Sequence, residues 1–210
     1  MTTHAFVSRR RWYGLVGALA LVAAAPLDAA KVGQRAPEFS VQDSQGKTHT
    51  LDSLKGKWVV LEWHNQGCPY VGKHYSTGNM QRLQKEWTGK GVTWLTVISS
   101  APGQQGHVTA AGANEYVSTQ RAAPTAVLLD GAGTMGTAFG AKTTPHMFVI
   151  SPEGVLVYNG ALDDDRGVAN PPAAKNYVSA ALAEGMAGKA VSTPTSAPYG
   201  CGVKYAGGTN

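Results

Sequence analysis

The apolar run Trp58-Val59-Val60-Leu61-Glu62-Trp63, followed closely by Gly67-Cys68-Pro69, constrains this chain more than any other feature. A short run rich in β-branched and aromatic residues reads as a buried strand. Proline is tolerated in the first turn of a helix, where its missing N–H has no intrahelical partner. The expected path is therefore a strand, a corner at Gly67, and a helix with Cys68 at its N-terminus. That end of a helix favours thiolate over thiol and makes a cysteine reactive. The competing reading is a small buried cysteine that only packs. The Gly and Pro flanks suit an exposed corner better.

The rest of the chain alternates in the same way. Residues 39–43 and 48–51 read as a hairpin across Ser44-Gln45-Gly46-Lys47. Residues 69–87 read as helical, weakened by Gly72 and Gly78, with Asn79 able to restart the helix and Met80, Leu83 and Trp87 on one face. Residues 92–99 and 126–129 read as strands, with a helix capped by Thr109 between them. Residues 147–150 and 155–158 form a second hairpin, and residues 172–187 a last helix. Strands alternating with helices predict an α/β fold, a sheet covered on both faces.

Residues 1–30 read as an export signal. Arg9-Arg10-Arg11 is the basic start, residues 15–25 the apolar stretch, and Ala23-Ala24-Ala25 or Ala29-Ala30 the small-residue cleavage positions. Ser8-Arg9-Arg10-Arg11-Trp12 loosely resembles a twin-arginine signal. The apolar stretch is short for a membrane span, so no stable membrane insertion is expected once it is removed. Export to a periplasm or cell surface is implied, where disulfides persist. About 180 residues then remain, enough for one domain with a core: residues 31–190 as its body and 191–210 as a tail carrying Cys201. Of 18 Lys+Arg and 13 Asp+Glu, removal of the signal leaves 15 against 12, without a basic cluster. Nucleic acid is not an expected partner.

In this order the elements, with Thr143-Thr144-Pro145 before the second hairpin, resemble the redoxin branch of the thioredoxin-fold superfamily, of peroxiredoxin-like, AhpC/TSA type. The opening Val32-Gly33-Gln34-Arg35-Ala36-Pro37-Glu38-Phe39 and the segment Leu51-Asp52-Ser53-Leu54-Lys55-Gly56-Lys57 are similar to redoxin openings. The resemblance covers roughly residues 32–189 and implies a mixed central sheet flanked by helices, with an N-terminal β-hairpin. It also implies a cis bond at Thr144-Pro145, facing the reactive cysteine.

The chain departs from that family at two points. Val71 stands where a thioredoxin has its second cysteine, so Cys68-Pro69-Tyr70-Val71 lacks a local partner thiol. Leu61 and Asn65 stand where a peroxiredoxin has Pro and Thr, so the usual hydroxyl is replaced by an amide able to hydrogen-bond a peroxide oxygen. Cys201, between Gly200 and Gly202, is the candidate replacement thiol, on a backbone that can bend sharply. The expected cycle has Cys68 attack a peroxide or a disulfide, Cys201 resolve the product into an internal disulfide, and an external thiol reductant restore both. A permanent Cys68–Cys201 staple, worth roughly 4–5 kcal/mol in the chain-entropy model, and an intermolecular link through Cys201 are the alternatives. No cofactor is implied.

His64, Lys73 and His74 flank Cys68 closely enough to tune it. Glu62, inside the apolar strand, is expected to have a raised pKa and to relay protons, or else to lie at a solvated edge. Trp63 is read as packing or a site wall, and His146 as facing either the site or the hairpin. Cys68 with His64, His74 and His146 raises the possibility of a soft metal, as in the Sco-type copper chaperones. Those carry a second cysteine four residues on, where this chain has Gly72, so no metal is expected. Asp163-Asp164-Asp165 and Gly103-Gln104-Gln105-Gly106 read as loops, the second bordering the site.

Overall fold

The computed structural model describes residues 1–2, 30–168 and 174–208. The expected export signal thus lies almost wholly outside the described residues, as does the predicted start of the last helix. Among the described residues no helix is long and apolar enough to cross a membrane.

The chain opens with an antiparallel hairpin, β1 (Ser40–Gln42) and β2 (Thr48–Thr50), then a 3-10 turn at Asp52–Leu54. Strand β3 (Val59–Trp63) leads to helices α1 (Pro69–Ser76) and α2 (Asn79–Gly89). Then come β4 (Thr93–Ile98), α3 (Ala110–Gln120), β5 (Ala126–Leu129) and α4 (Thr134–Phe139). The two-residue β6 (Thr143–Thr144), the hairpin β7 (His146–Ile150) and β8 (Leu156–Gly160), α5 (Tyr177–Met186) and β9 (Cys201–Gly202) complete it. The five-stranded sheet runs β5-β4-β3-β7-β8, parallel from β5 to β3 and antiparallel from β3 to β8. This is the mixed α/β, thioredoxin-like arrangement that the sequence predicted.

Alternation along β3 builds two cores. Leu61 and Trp63 face the hairpin and α4, against Phe39, Leu51, Met135 and Phe139. Val60 faces α1, α2 and α5, against Val71, Leu83, Trp87, Val178 and Leu182. Both outer strands have further partners. Val127 of β5 accepts from Ser44 N at 2.9 Å, and Asn159 of β8 pairs with the stretch around Thr195, Ser196 N donating to Asn159 O at 3.2 Å.

One local prediction is refined, and two features had no local signal. The helix expected over 69–87 is two helices, because Gly78 adopts φ +73°, a left-handed turn that breaks the ladder, and the helix restarts at Asn79 as expected. Helix α4 is absent from the predicted elements. It is six residues long, with left-handed glycines 133 and 140 at its ends, and its apolar signal is confined to Met135 and Phe139. The pairing of β6 with β9 was not foreseen, since two-residue strands separated by 57 positions leave no periodic pattern.

Candidate active site

Cys68 caps α1 with extended backbone, and its carbonyl accepts from Val71 N at 3.0 Å and Gly72 N at 2.8 Å. Pro69 opens the helix, as the Gly-Cys-Pro corner predicts. Cys68 is only 1 % exposed, against the expectation of an exposed corner. The reason is the tail. Strand β9 lies antiparallel on β6, Cys201 opposite Thr144 and Gly202 opposite Thr143, which lays the tail across the corner. Cys68 Sγ donates to Thr144 O at 3.0 Å, and the Thr144–Pro145 bond is cis, as the resemblance implied.

The tail is fixed on both sides of Cys201. Upstream, the Tyr199 hydroxyl donates to Asp163 Oδ1. Downstream, Val203 N donates to Lys142 O at 3.0 Å, Lys204 O accepts from Ala101 N at 2.8 Å, and Tyr205 OH donates to Ala141 O at 2.8 Å. Gly200 lies over Thr144 so closely that a Cβ there would meet Thr144 O at 2.1 Å. Both cysteines are free thiols, and each shifts the other's titration. Burial pushes the Cys68 thiol up. Hydrogen bonds from Cys201, Thr144 and the N–H groups of Val71 and Cys201 outweigh it and hold the thiol below its ordinary value. Cys201 is pushed up to about 11 by burial and by Cys68. The asymmetry makes Cys68 the more acidic thiol of the pair.

The structure thus brings together Cys68, Cys201, Thr144 and Pro145. It turns the other candidates elsewhere. His64 N donates to Val97 O at 2.9 Å, which continues the extended backbone of β3 and puts His64 on the same face as Glu62. Its ring lies edge-on to Tyr75 and Tyr116, and Nδ1 faces Glu62 Oε1 at 3.4 Å. Asn65 accepts from Gly67 N at 2.8 Å, and its amide nitrogen lies 3.3 Å from both Gln105 O and Oε1. Its side chain therefore ties the corner to the 103–106 loop, which borders the site as predicted. Lys73 Nζ is taken by Asp165 O at 2.6 Å and Gly167 O at 2.8 Å. His74 faces Asn79 and Tyr199, and His146 faces the hairpin through Asn159 Oδ1 at 2.8 Å.

Glu62 is fully buried, which excludes the solvated edge. The raised pKa expected for it is also corrected. Burial pushes it up, but His64, Trp94 and Tyr75 hold it below the usual carboxylate range. Tyr75 OH and Trp94 Nε1 each donate to it at 2.8 Å, and Gln84 Nε2 at 3.1 Å. Sequence reasoning missed these partners, because i, i+2 alternation gives the face of Glu62 but not its donors. Tyr199 and Asp163 were missed as partners too. Among the described residues no cluster of His, Cys, Asp or Glu could hold a metal ion.

No curated protein matches this chain. Among solved structures, it is similar to a hypothetical protein from Sinorhizobium meliloti 1021 at 24% identity and TM-score 0.73, over 86% of this chain and 98% of that one. It is also similar to an uncharacterized conserved protein from Geobacillus kaustophilus at 23% identity and TM-score 0.76, over 85% and 94%. These likenesses carry the fold. The AhpC/TSA family model matches residues 32–159, which ends before Cys201. With that match over more than half its length, the chain belongs to the AhpC/TSA family, within the redoxin and thioredoxin-like thiol oxidoreductases.

Proposed function

We propose that this protein is an exported thiol peroxidase in which Cys68 is the nucleophile and Cys201 the resolving thiol. The observation that carries the reading is the seat of the tail: Cys201 pairs with Thr144, whose carbonyl accepts from Cys68 Sγ. The edge of β6, where an extended peptide would lie beside Pro145, is thereby taken by the chain itself. A small oxidant suits this arrangement better than a protein disulfide.

The Cys68 thiolate attacks one peroxide oxygen, the O–O bond breaks, and the other oxygen leaves as alcohol or water after taking up a proton. Cys68 becomes a sulfenic acid. Cys201 then attacks Cys68 Sγ, the S–O bond breaks, and the hydroxyl leaves as water with the proton of the Cys201 thiol. Two equivalents of an external thiol reduce the disulfide by exchange. Thr144 and Pro145 form the wall beside the sulfur. His64 and Asn65 are retained as supporting residues, His64 through Glu62 and Asn65 through the 103–106 loop. The division into a removed signal at 1–30, a body at 31–190 and a tail at 191–210 belongs to the same proposal.

Thiol–disulfide exchange is the second reading. It is favoured by the commitment of the Asn65 amide to Gln105, which leaves that side chain engaged where a peroxide donor is needed. The test is single-turnover oxidation of the reduced protein by equimolar hydrogen peroxide, read by thiol count and intact mass. Fast loss of both thiols with a mass lower by two hydrogens supports the peroxidase. Loss no faster than a free thiol, with rapid reaction toward a small disulfide, overturns it in favour of exchange. Cys68→Ser removes both activities, and retained turnover in that variant refutes both readings.

A further inference from the structure

Tyr199 stands two residues before Cys201 and is buried against the helix that carries Cys68. Its surroundings form one directional chain of hydrogen bonds. Asn79 Nδ2 donates to His74 Nδ1 at 3.0 Å, which places the His74 proton on Nε2. His74 Nε2 donates to Tyr199 OH at 3.3 Å, and Tyr199 OH donates to Asp163 Oδ1. The ring is held as well. Lys73 Nζ lies 4.8 Å over its centroid and Tyr70 packs at 5.9 Å. Lys73 also fastens the 165–167 loop, next to Asp163. Tyr70, Lys73 and His74 all belong to α1, whose first turn presents Cys68. The helix that carries one sulfur therefore grips the segment that carries the other.

We propose that Tyr199 is a positioning residue, and that its hydroxyl, held between His74 and Asp163, keeps Cys201 in register on Thr144 so that the Cys68–Cys201 bond forms without rearrangement of the tail. The inference rests on the pairing of the two cysteines in the proposed function. Its consequence is kinetic as well as thermodynamic. A sulfenic acid at Cys68 meets a thiol already in place, and it condenses before a second peroxide carries it to the sulfinic acid.

The test uses the full chain with Tyr199→Phe, which keeps the ring and removes the hydroxyl. Its first readout is the equilibrium constant of the internal disulfide against reduced and oxidised glutathione, which does not depend on peroxidase activity. Its second is the sulfinic fraction of Cys68 by mass under excess hydrogen peroxide. The constant is expected to fall about tenfold and the sulfinic fraction to rise. Asp163→Ala is expected to do the same, while Asp163→Asn, which keeps an acceptor for the hydroxyl, recovers most of the loss. Unchanged values in both Tyr199→Phe and Asp163→Ala, with the wild-type disulfide forming normally, overturn the positioning role alone. Failure of the wild-type protein to form the internal disulfide overturns the pairing and the positioning together.

Discussion

Substitution of Gly200 by alanine opens the site from one methyl group. At φ +121° this residue occupies backbone that an L side chain adopts only under strain, at a cost of about 1–3 kcal/mol. The added Cβ also meets Thr144 O at 2.1 Å and Thr144 C at 2.9 Å. Neither atom can yield cheaply, because Thr144 O accepts from Cys68 Sγ and Thr144 is paired with Cys201. Overpacking of this kind costs a further ~1–3 kcal/mol, and the tail can escape most of it by lifting. A bias of about 3 kcal/mol raises the open population roughly a hundredfold. Cys68, covered by the tail, becomes reactive toward solvent in proportion to that population. The assay is iodoacetamide labelling of the reduced protein under native conditions, with Cys68 followed by peptide mass. Labelling within threefold of wild type, in a folded Gly200→Ala protein, refutes the account of how the tail is seated.

Further outcomes follow from the buried polar groups. Glu62→Gln places an amide against the donors of Tyr75 and Trp94, and urea unfolding at pH 7 is expected to show a loss of about 2–4 kcal/mol. The Glu62 pKa is depressed in the folded state, so its contribution is present above the unfolded value and lost as pH falls through the folded one. The gap between wild type and variant therefore narrows in acid. His74 and His146 are both pushed down to about 4, chiefly by burial. The unfolded chain takes up their protons first, so stability falls between about pH 6.5 and 4, and His146→Asn flattens that slope in denaturant melts across the range. Gly106→Ala puts a Cβ 2.4 Å from Asn65 Cγ at φ +90°, and is expected to cost about 2–3 kcal/mol and to expose the 103–106 loop to limited proteolysis. The rate of Cys68 oxidation rises with pH through a midpoint below that of an ordinary free thiol and then levels off, as stopped-flow oxidation will show.

The parts of the fold that were legible are those with local signals. Strands β3, β4 and β5 are apolar runs ended by polar turns, and the Thr109 cap accepts from Gly112 N as its position predicts. The corner at Cys68 was legible because Gly and Pro dictate backbone geometry on their own. What surrounds the sulfur was not. Its burial comes from a tail more than a hundred residues away in sequence. A tail residue is placed by backbone pairing and by partners such as Asp163, and neither leaves a mark in the local pattern. His64 and Asn65 show the same limit from the other side. Proximity in sequence to Cys68 suggested contact, but strand alternation carries His64 to Glu62 and a loop amide captures Asn65.

The stretch beside Asn159 and the turn at Ser44 have a consequence for how this chain behaves in a crowd. An uncovered outer strand is a template on which another polypeptide can grow a sheet, the route to fibrils and swapped dimers. Here the tail occupies part of β8, and the chain at Asp43-Ser44 occupies part of β5. An intruding strand would first have to strip away a segment of the molecule itself. The same tail that carries Cys201 is therefore also a guard against self-assembly, and cleavage before Pro194 would expose a template that the intact protein keeps covered.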